Sequence, residues 1–395
     1  MKKVLLLIFL IMISISNIVK SETTDEGIIL GPFIFQPYFS LVFEHTDNLF
    51  LQPNNGFSDN LWIIRPEIKL IYPFLESSVQ FSYVPIWREY QRYDLEHKFS
   101  HFFVFQGNIM QSSGLSIRII DRFTRGYLEV SEIEPQKEVV WGTNRFNKNY
   151  INATATYDIS ERININIDSD FNYVKFIDRE EPLFFFDYKT LSLGGSIGYR
   201  TSPLTNILII YKYYYNDAER IYDTRDFNAH QFSIGMTSDA TPRLKGGFKI
   251  GYERKELKNL NKNINNLIVS ADLTYELADF TRLMLNVNRG TYQSAYIDAA
   301  YFKATGLALS LTHQFTDRFN ATGGGYFQRN DYPELPSLNN FQRTDDIYGL
   351  NAELGYIISN IVVVHFNYKY EKRDSDEPRM NYTQNRLVFD VILGW

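Results

Sequence analysis

From residue 32 onward apolar residues recur at every second position, and the links between these alternating runs are short and long in strict turn. The short links are PFLE, QSSG, DISE, TSPL, TSDATP, LADF, FTDRF and ISN. Between them come longer polar stretches such as DNLFLQPNNGFSD, EYQRYDLEHK, TRGYLEVSEIEPQKEVVWGT, RKELKNLNKN and NDYPELPSLNNFQRTD. A period of two marks strands with one apolar and one polar face. Runs such as WIIRPEIKLIY (62–72), NILIIYKYYY (206–215), TGLALSLTHQF (305–315) and IVVVHFNYKYE (361–371) bring the count to about 18, an even number. A soluble sandwich has no reason to keep one rim short throughout. A sheet that crosses a bilayer does, with tight turns at one rim and longer loops at the other. Lipid cannot satisfy unpaired backbone groups, so such a sheet must close on itself. The expected fold is all-β: a transmembrane antiparallel up-and-down β-barrel over residues 32–395, with both termini at the short-turn, periplasmic rim.

The N-terminus sets the compartment. Lys2 and Lys3 precede an apolar run from Val4 to about Ile13, and Val19 and Ser21 occupy the −3 and −1 positions of a cleavage site, so residues 1–21 read as a secretory signal peptide. Residues 22–31 then form a short periplasmic N-terminal segment. No later stretch is apolar for the ~18 residues a membrane helix needs. The 31 Phe, 28 Tyr and 4 Trp suit strands and the aromatic girdles of outer-membrane barrels. A net charge of −6, more negative once the lysine-bearing leader is removed, argues against a nucleic-acid partner. With no cysteine there is no disulfide framework, thiolate metal site or lipid-anchor cysteine. These signals place the chain in the outer membrane of a Gram-negative bacterium. Outer-membrane lipid and lipopolysaccharide would surround it, and the outer-membrane assembly machinery would insert it.

The run RININIDSDFNY (162–173) shows what the two faces do. As the seventh strand it turns Ile163, Ile165, Ile167, Phe171 and Tyr173 to lipid and Asn164, Asn166, Asp168, Asp170 and Asn172 to water. The same alternation gives further pore-lining candidates: Arg65, Glu67, Lys69, Lys212, Asp272, Arg282, Glu353, Lys369, Arg386 and Asp390. Eighteen strands spaced about 4.8 Å and tilted about 40° enclose a cylinder on the order of 35 Å across, too wide for side chains alone to fill. Lumen-facing positions are expected to be polar, with both signs of charge intermixed, which suits a weakly selective hydrated pore.

Other chemistry finds little support. His97 and His101, four residues apart beside Glu96, span a loop end and a strand start rather than one helix face, so no metal site is assigned. The six histidines are scattered and neither GxSxG nor HExxH occurs, so no catalytic residue and no cofactor are assigned. An enzyme acting on lipid or glycan at the long-loop rim, assembled from several strands, remains the alternative, and a structural or adhesive barrel a third. At the C-terminus Phe389, Val391, Leu393 and Trp395 alternate with the residues between them and end the chain on an aromatic. That pattern resembles the recognition signal of outer-membrane barrel assembly.

YFSLVFEHTDNLFL, FSDNLWIIRPEIKL and VQFSYVPIWREYQRYDLEHKFSH resemble the β-barrel porin family of the exopolysaccharide-associated type. The resemblance is carried by Asp47 and Asn48 where the first strand meets its loop, Pro66 in the second strand, Tyr83 and Tyr90 around the third, and His101 opening the fourth. It implies a porin-like barrel and a part in passing extracellular polysaccharide, with polysaccharide export components as partners.

Overall fold

The computed structural model describes residues 23–24, 27–54, 56–93, 95, 99–111, 114–127, 144–177, 186–219, 225–241, 243–294, 299–333 and 342–394. The signal-peptide assignment, the loop histidine His97 and the terminal Trp395 lie outside them. Two short strands, β1 (Thr23–Thr24) and β2 (Gly27–Leu30), precede the wall. The wall begins with β3 (Phe33–Thr46), β4 (Asp59–Phe74), β5 (Ser77–Tyr90), β6 (Phe99–Gln111), β7 (Leu115–Tyr127) and β8 (Arg145–Asp158). It continues with β9 (Ile163–Phe176), β10 (Tyr188–Ser202), β11 (Thr205–Ala218), β12 (Phe227–Thr241), β13 (Leu244–Leu257) and β14 (Lys262–Ala278). The last six are β15 (Thr281–Gln293), β16 (Tyr301–Thr316), β17 (Phe319–Tyr332), β18 (Arg343–Ser359), β19 (Val362–Ser375) and β20 (Tyr382–Gly394). Each of β3 to β20 pairs antiparallel with its sequence neighbours, and β20 pairs with β3 from Arg386↔Thr46 to Gly394↔Tyr38, so 18 strands close into a barrel.

Short and long connections alternate as expected, with one exception. RKELKNLNKN is mostly strand: β13 runs to Leu257, β14 starts at Lys262, and only 258–261 turn the chain. Beyond the bilayer the outer face of a strand meets water instead of lipid, so the apolar period fades while the backbone ladder persists.

Directly paired residues share a face, so the register sorts the wall into two. Row by row, Ile163↔Tyr199↔Ile207↔Met236 and Ile165↔Ile197↔Ile209↔Ile234 lie on the outer face. The bulky apolar side chains there stand free: Ile197 is 58% and Ile209 66% exposed. Phe389, Val391 and Leu393 lie on the same face against Phe43, Leu41 and Phe39 of β3. The face of each residue, though not its row, follows from the alternation already visible in the sequence.

The seam where β20 meets β3 has two parts. Below Gly394↔Tyr38 the edge of β3 is taken over by β2, through Phe35↔Ile28, Ile34↔Ile29 and Phe33↔Leu30. Pro37, which has no backbone N–H to offer a ladder, falls between the two partners. The segment preceding the wall is therefore partly strand and lies along the barrel rather than apart from it. Gly27 (φ +134°) makes this possible: a Cβ there would press on the Phe35 carbonyl at 2.8 Å.

Candidate functional site

The inner wall carries the chemistry. The register puts Arg65, Glu67 and Lys69 of β4, Asn164, Asn166, Asp168, Asp170 and Asn172 of β9, and Lys212 of β11 on the face opposite the exposed apolar one. Asp272, Arg282, Glu353, Lys369, Arg386 and Asp390 fall on that face too. The structure draws about half of these residues into two constellations, eight strands apart.

The first lies on β8 to β11. Thr154, Asp168, Gly194 and Lys212 occupy one row, and Asn152, Asp170, Ser192 and Tyr214 the next. Gly194 has no side chain, so the Asp168 carboxylate lies over it and meets Lys212 from two strands away, with Nζ 2.7 Å from Oδ2. The same ammonium stands 2.6 Å from Asp170 Oδ2. Asp170 also accepts from Tyr150 Oη (2.8 Å), Asn152 Nδ2 (2.7 Å) and Ser192 Oγ (2.8 Å). One cation and three neutral donors thus hold two carboxylates that would otherwise repel each other. Nearby, Asn166 accepts from Thr156 Oγ1 and donates to Ser196 Oγ.

The second surrounds the seam, on β17 to β20 and β3 to β5. Tyr326, Gly349 and Glu371 share a row. The Tyr326 ring occupies the space a Gly349 side chain would need, and its hydroxyl reaches the Glu371 carboxylate two strands away. Tyr382 donates to the other oxygen of that carboxylate. Arg386 grips Glu44 with two hydrogen bonds (2.9 and 2.8 Å), tying β20 to β3 across the seam, and Asn367 donates to Glu353 (2.9 Å). These groups line a cavity of about 540 Å³ whose other side is apolar: Leu49, Leu61, Ile63 and Tyr90.

The inner wall is not uniformly polar, contrary to the reading of the sequence. Val84, Ile86, Phe102, Val104 and Ile120 of β5 to β7 face inward, beside the cluster of Leu49, Leu61 and Tyr90. Val84 and Phe102 are direct cross-strand partners, whereas Ile86 lies beside Ser100, Val104 between Ser82 and Arg122, and Ile120 between Gln106 and Asn152, so this part of the wall is mixed rather than polar.

The long-loop mouth is narrowed on one side. The β14–β15 ladder stops at Val269↔Arg289, whereas the β15–β16 ladder continues to Gln293↔Tyr301. Freed from β14, the tip of the β15–β16 hairpin leans inward, and Ala300 and Tyr301 pack on the inward-facing Phe227, Ala229, Leu257 and Ile264. Asn266 Nδ2 and Lys255 Nζ hold it through Thr291 (3.0 and 3.3 Å). Arg225, 1% exposed, stacks over Phe186 at 4.6 Å and donates to the Ala299 carbonyl at 3.2 Å. No periodicity marks such a residue, because its partners come from separate loops.

Of the metal candidates, Glu96 and His97 lie outside the described residues. His101 stands on the outer face of β6, bonded to Tyr83 (2.9 Å).

Residues 185–394, more than half of the chain, match the family described as "Putative beta-barrel porin 2". The chain belongs to this family. It is an outer-membrane β-barrel of the porin type. Among solved structures, this porin-family barrel is similar to Pseudomonas aeruginosa OpdK with vanillate (TM-score 0.51, 9% identity, 91% of this chain and 99% of that chain). It is also similar to P. aeruginosa OccK2 (OpdF) with glucuronate (0.50, 13%, 91% and 98%) and to Acinetobacter baumannii OccAB4 (0.50, 10%, 91% and 98%). At these identities the likeness is one of fold. No curated protein matches the chain significantly.

Proposed function

We propose that this porin-type barrel conducts hydrophilic solutes across the outer membrane through the lumen enclosed by β3 to β20. The observation that carries this reading is the inner wall of β9 to β11. Its carboxylates, amides and hydroxyls are held in place by wall partners and present a hydrated surface. A wall built only to pack would be apolar, since burying charges costs more than burying hydrocarbon. The fifteen charged and amide positions named from the sequence are read as lining the water path, and the inward-leaning β15–β16 tip as setting its narrowest passage.

The finer reading is passage of a secreted polysaccharide, with periplasmic export components as its source. Its support is the density of acceptors and donors suited to sugar hydroxyls around the seam, set against the apolar side formed by Leu61, Ile63 and Tyr90. Purified barrel reconstituted in a planar bilayer tests the first claim. Discrete conductance steps are expected, and their absence both from the whole chain and after removal of 294–300 would falsify the channel. Adding dextran or maltooligosaccharide to the same bilayer tests the second. Resolved current blocks are expected, and free ionic flow at millimolar sugar would leave the channel and overturn the polysaccharide reading.

A further inference from the structure

The outer wall is not equally suited to lipid all the way round. Every other carboxylate or cation on the outer face, among the described residues, lies within four positions of an end of its strand; Arg125, Lys175, Asp217, Glu256 and Arg329 are examples. Asp121 is the exception. It stands at the centre of β7, with Ile119 and Phe123 on either side along the strand and Phe105 and Ile151 paired beside it. Its one described donor is Asn149 Nδ2, at 2.7 Å. An ionised carboxylate offers about four acceptor sites, and an acyl chain can fill none of them.

The neighbouring positions are small. Ala153 of β8 pairs with Ile119 on one side and Ser169 of β9 on the other. The ladder rows climb from β3 toward β14, reaching the short-turn end of β4 at Leu70 and the long-loop end of β13 at Glu256. With a rise of about 3.3 Å per residue, a strand spacing of about 4.8 Å and a tilt of about 40°, Asp121, Ala153 and Ser169 come within roughly 3 Å of one height. Gly195 of β10 continues the same level. Along this line, Asp121, Ala153, Ser169 and Gly195, the wall is low and polar; Leu193 (56% exposed) stands next to it as the β10 partner of Ser169, and Ile209 (66%) and Phe232 (60%) project from β11 and β12 beyond.

We propose that this seat on β7 to β10 is where a second copy of the chain docks, about a twofold axis parallel to the membrane normal that passes in front of Ala153. Facing copies reverse left and right. Asp121 of each copy then meets Ser169 of the other, and Ala153 meets its own counterpart. An isologous contact requires this reciprocity, residue i on j and j on i. The Ser169 hydroxyl has no described hydrogen bond, and in the pair it donates to the carboxylate that lipid leaves short of donors. Small side chains let two walls approach closely, which favours association where no water is available to be expelled. Another membrane protein would have to supply donor and acceptor at this spacing; a second copy carries both already.

The chain has no cysteine, so single-cysteine variants report cleanly. Ala153→Cys is expected to yield a disulfide-linked band of twice the mass on oxidation in native outer membranes, while Leu309→Cys, on the outer face of β16, stays monomeric. A monomeric Ala153→Cys, or equal cross-linking at both sites, overturns the proposal. Adding Asp121→Leu to Ala153→Cys is expected to cut the cross-linked fraction at least fivefold, with heat-modifiable gel mobility showing that the barrel has folded. An unchanged fraction means that lipid covers Asp121 and also overturns it. Should that variant fail to fold, Ser169→Ala in the same background gives the decisive reading, with the same fivefold loss expected and an unchanged fraction counting against the proposal.

Discussion

The two inner constellations use one device to different ends. In each, a glycine lets residues two strands apart meet across the strand between them: Lys212 reaches Asp168 over Gly194, and Tyr326 reaches Glu371 over Gly349. On the β9–β11 wall the bridge offsets charge, because one ammonium is shared by two carboxylates and cancels half of their charge. On the β17–β19 wall it only orients. Tyr326 and Tyr382 hold the Glu371 carboxylate, no cation is paired with it among the described residues, and its charge faces the cavity. A bridge of either kind fixes the wall; the identity of the bridging group decides whether the lumen feels a field.

Both bridges presuppose that the faces are assigned correctly, and the largest effect should come from breaking that premise. Ile167→Lys puts a charge on the outer face at a site 54% exposed and is expected to cost about 2–4 kcal/mol and most of the folded yield. Asn166→Lys, one residue away on the inner face, should assemble normally. Heat-modifiable mobility of the two variants measures the difference, and equal tolerance would reverse the faces.

The next largest effect sharpens the contrast between offsetting charge and orienting it. Lys212→Met leaves Asp168 and Asp170 side by side with only neutral donors. Loss of the shared cation should cost about 1–3 kcal/mol, moderated because these side chains are roughly a quarter exposed. It should also turn the pore toward cations, read as a shift in reversal potential under a salt gradient.

Gly349→Ala and Gly194→Ala compare the bridges themselves. A methyl at Gly349 meets the rigid Tyr326 ring, which must leave Glu371, so a loss of about 1 kcal/mol, one hydrogen bond's worth, is expected in thermal melts. At Gly194 it meets the end of the more flexible Asp168 side chain, and the loss should be smaller. Equal losses would mean that the rows are not in the stated register.

The smallest effect belongs to Glu371→Gln. It keeps shape and can keep one tyrosine partner, so the melting temperature should hardly move. Its reversal-potential shift should be opposite in sign to that of Lys212→Met; the same sign would show that Glu371 does not face the water path.

The sequence made the faces and the strand count legible because lipid on one side and water on the other impose a period of two that nothing local disturbs. The runs TLSLGGSIGYR and YGLNAELGYII contain Gly194 and Gly349, yet neither run reveals what lies across it. A bridge is a property of three strands in register, and a single strand carries no information about its neighbours' rows. Lys212 and Asp168 could be assigned to one face but not to one ion pair. The inward tip of β15 and β16 was hidden for a related reason. The ladder leaves β14 above the bilayer, where the outer face turns polar (Asn263, Asn265) while the inner face carries Leu257 and Ile264, so the period no longer tells the two sides apart. Arg225 depends on loop partners with no periodicity at all.

The divided edge of β3 limits how the barrel can close. A one-residue slip of β20 along β3 would turn apolar side chains into the lumen, and the pattern forbids it. A two-residue slip preserves every face, so patterning alone is blind to it. Of the β3 edge below Gly394, only Gln36 and Pro37 lie between Tyr38 and the stretch that β2 already holds. A slip downward by two would bring the end of β20 against β2, and a slip upward would surrender ladder bonds. β2 therefore acts as a mechanical stop, and the stagger that sets the circumference of the barrel is fixed by four residues that are not among its 18 wall strands.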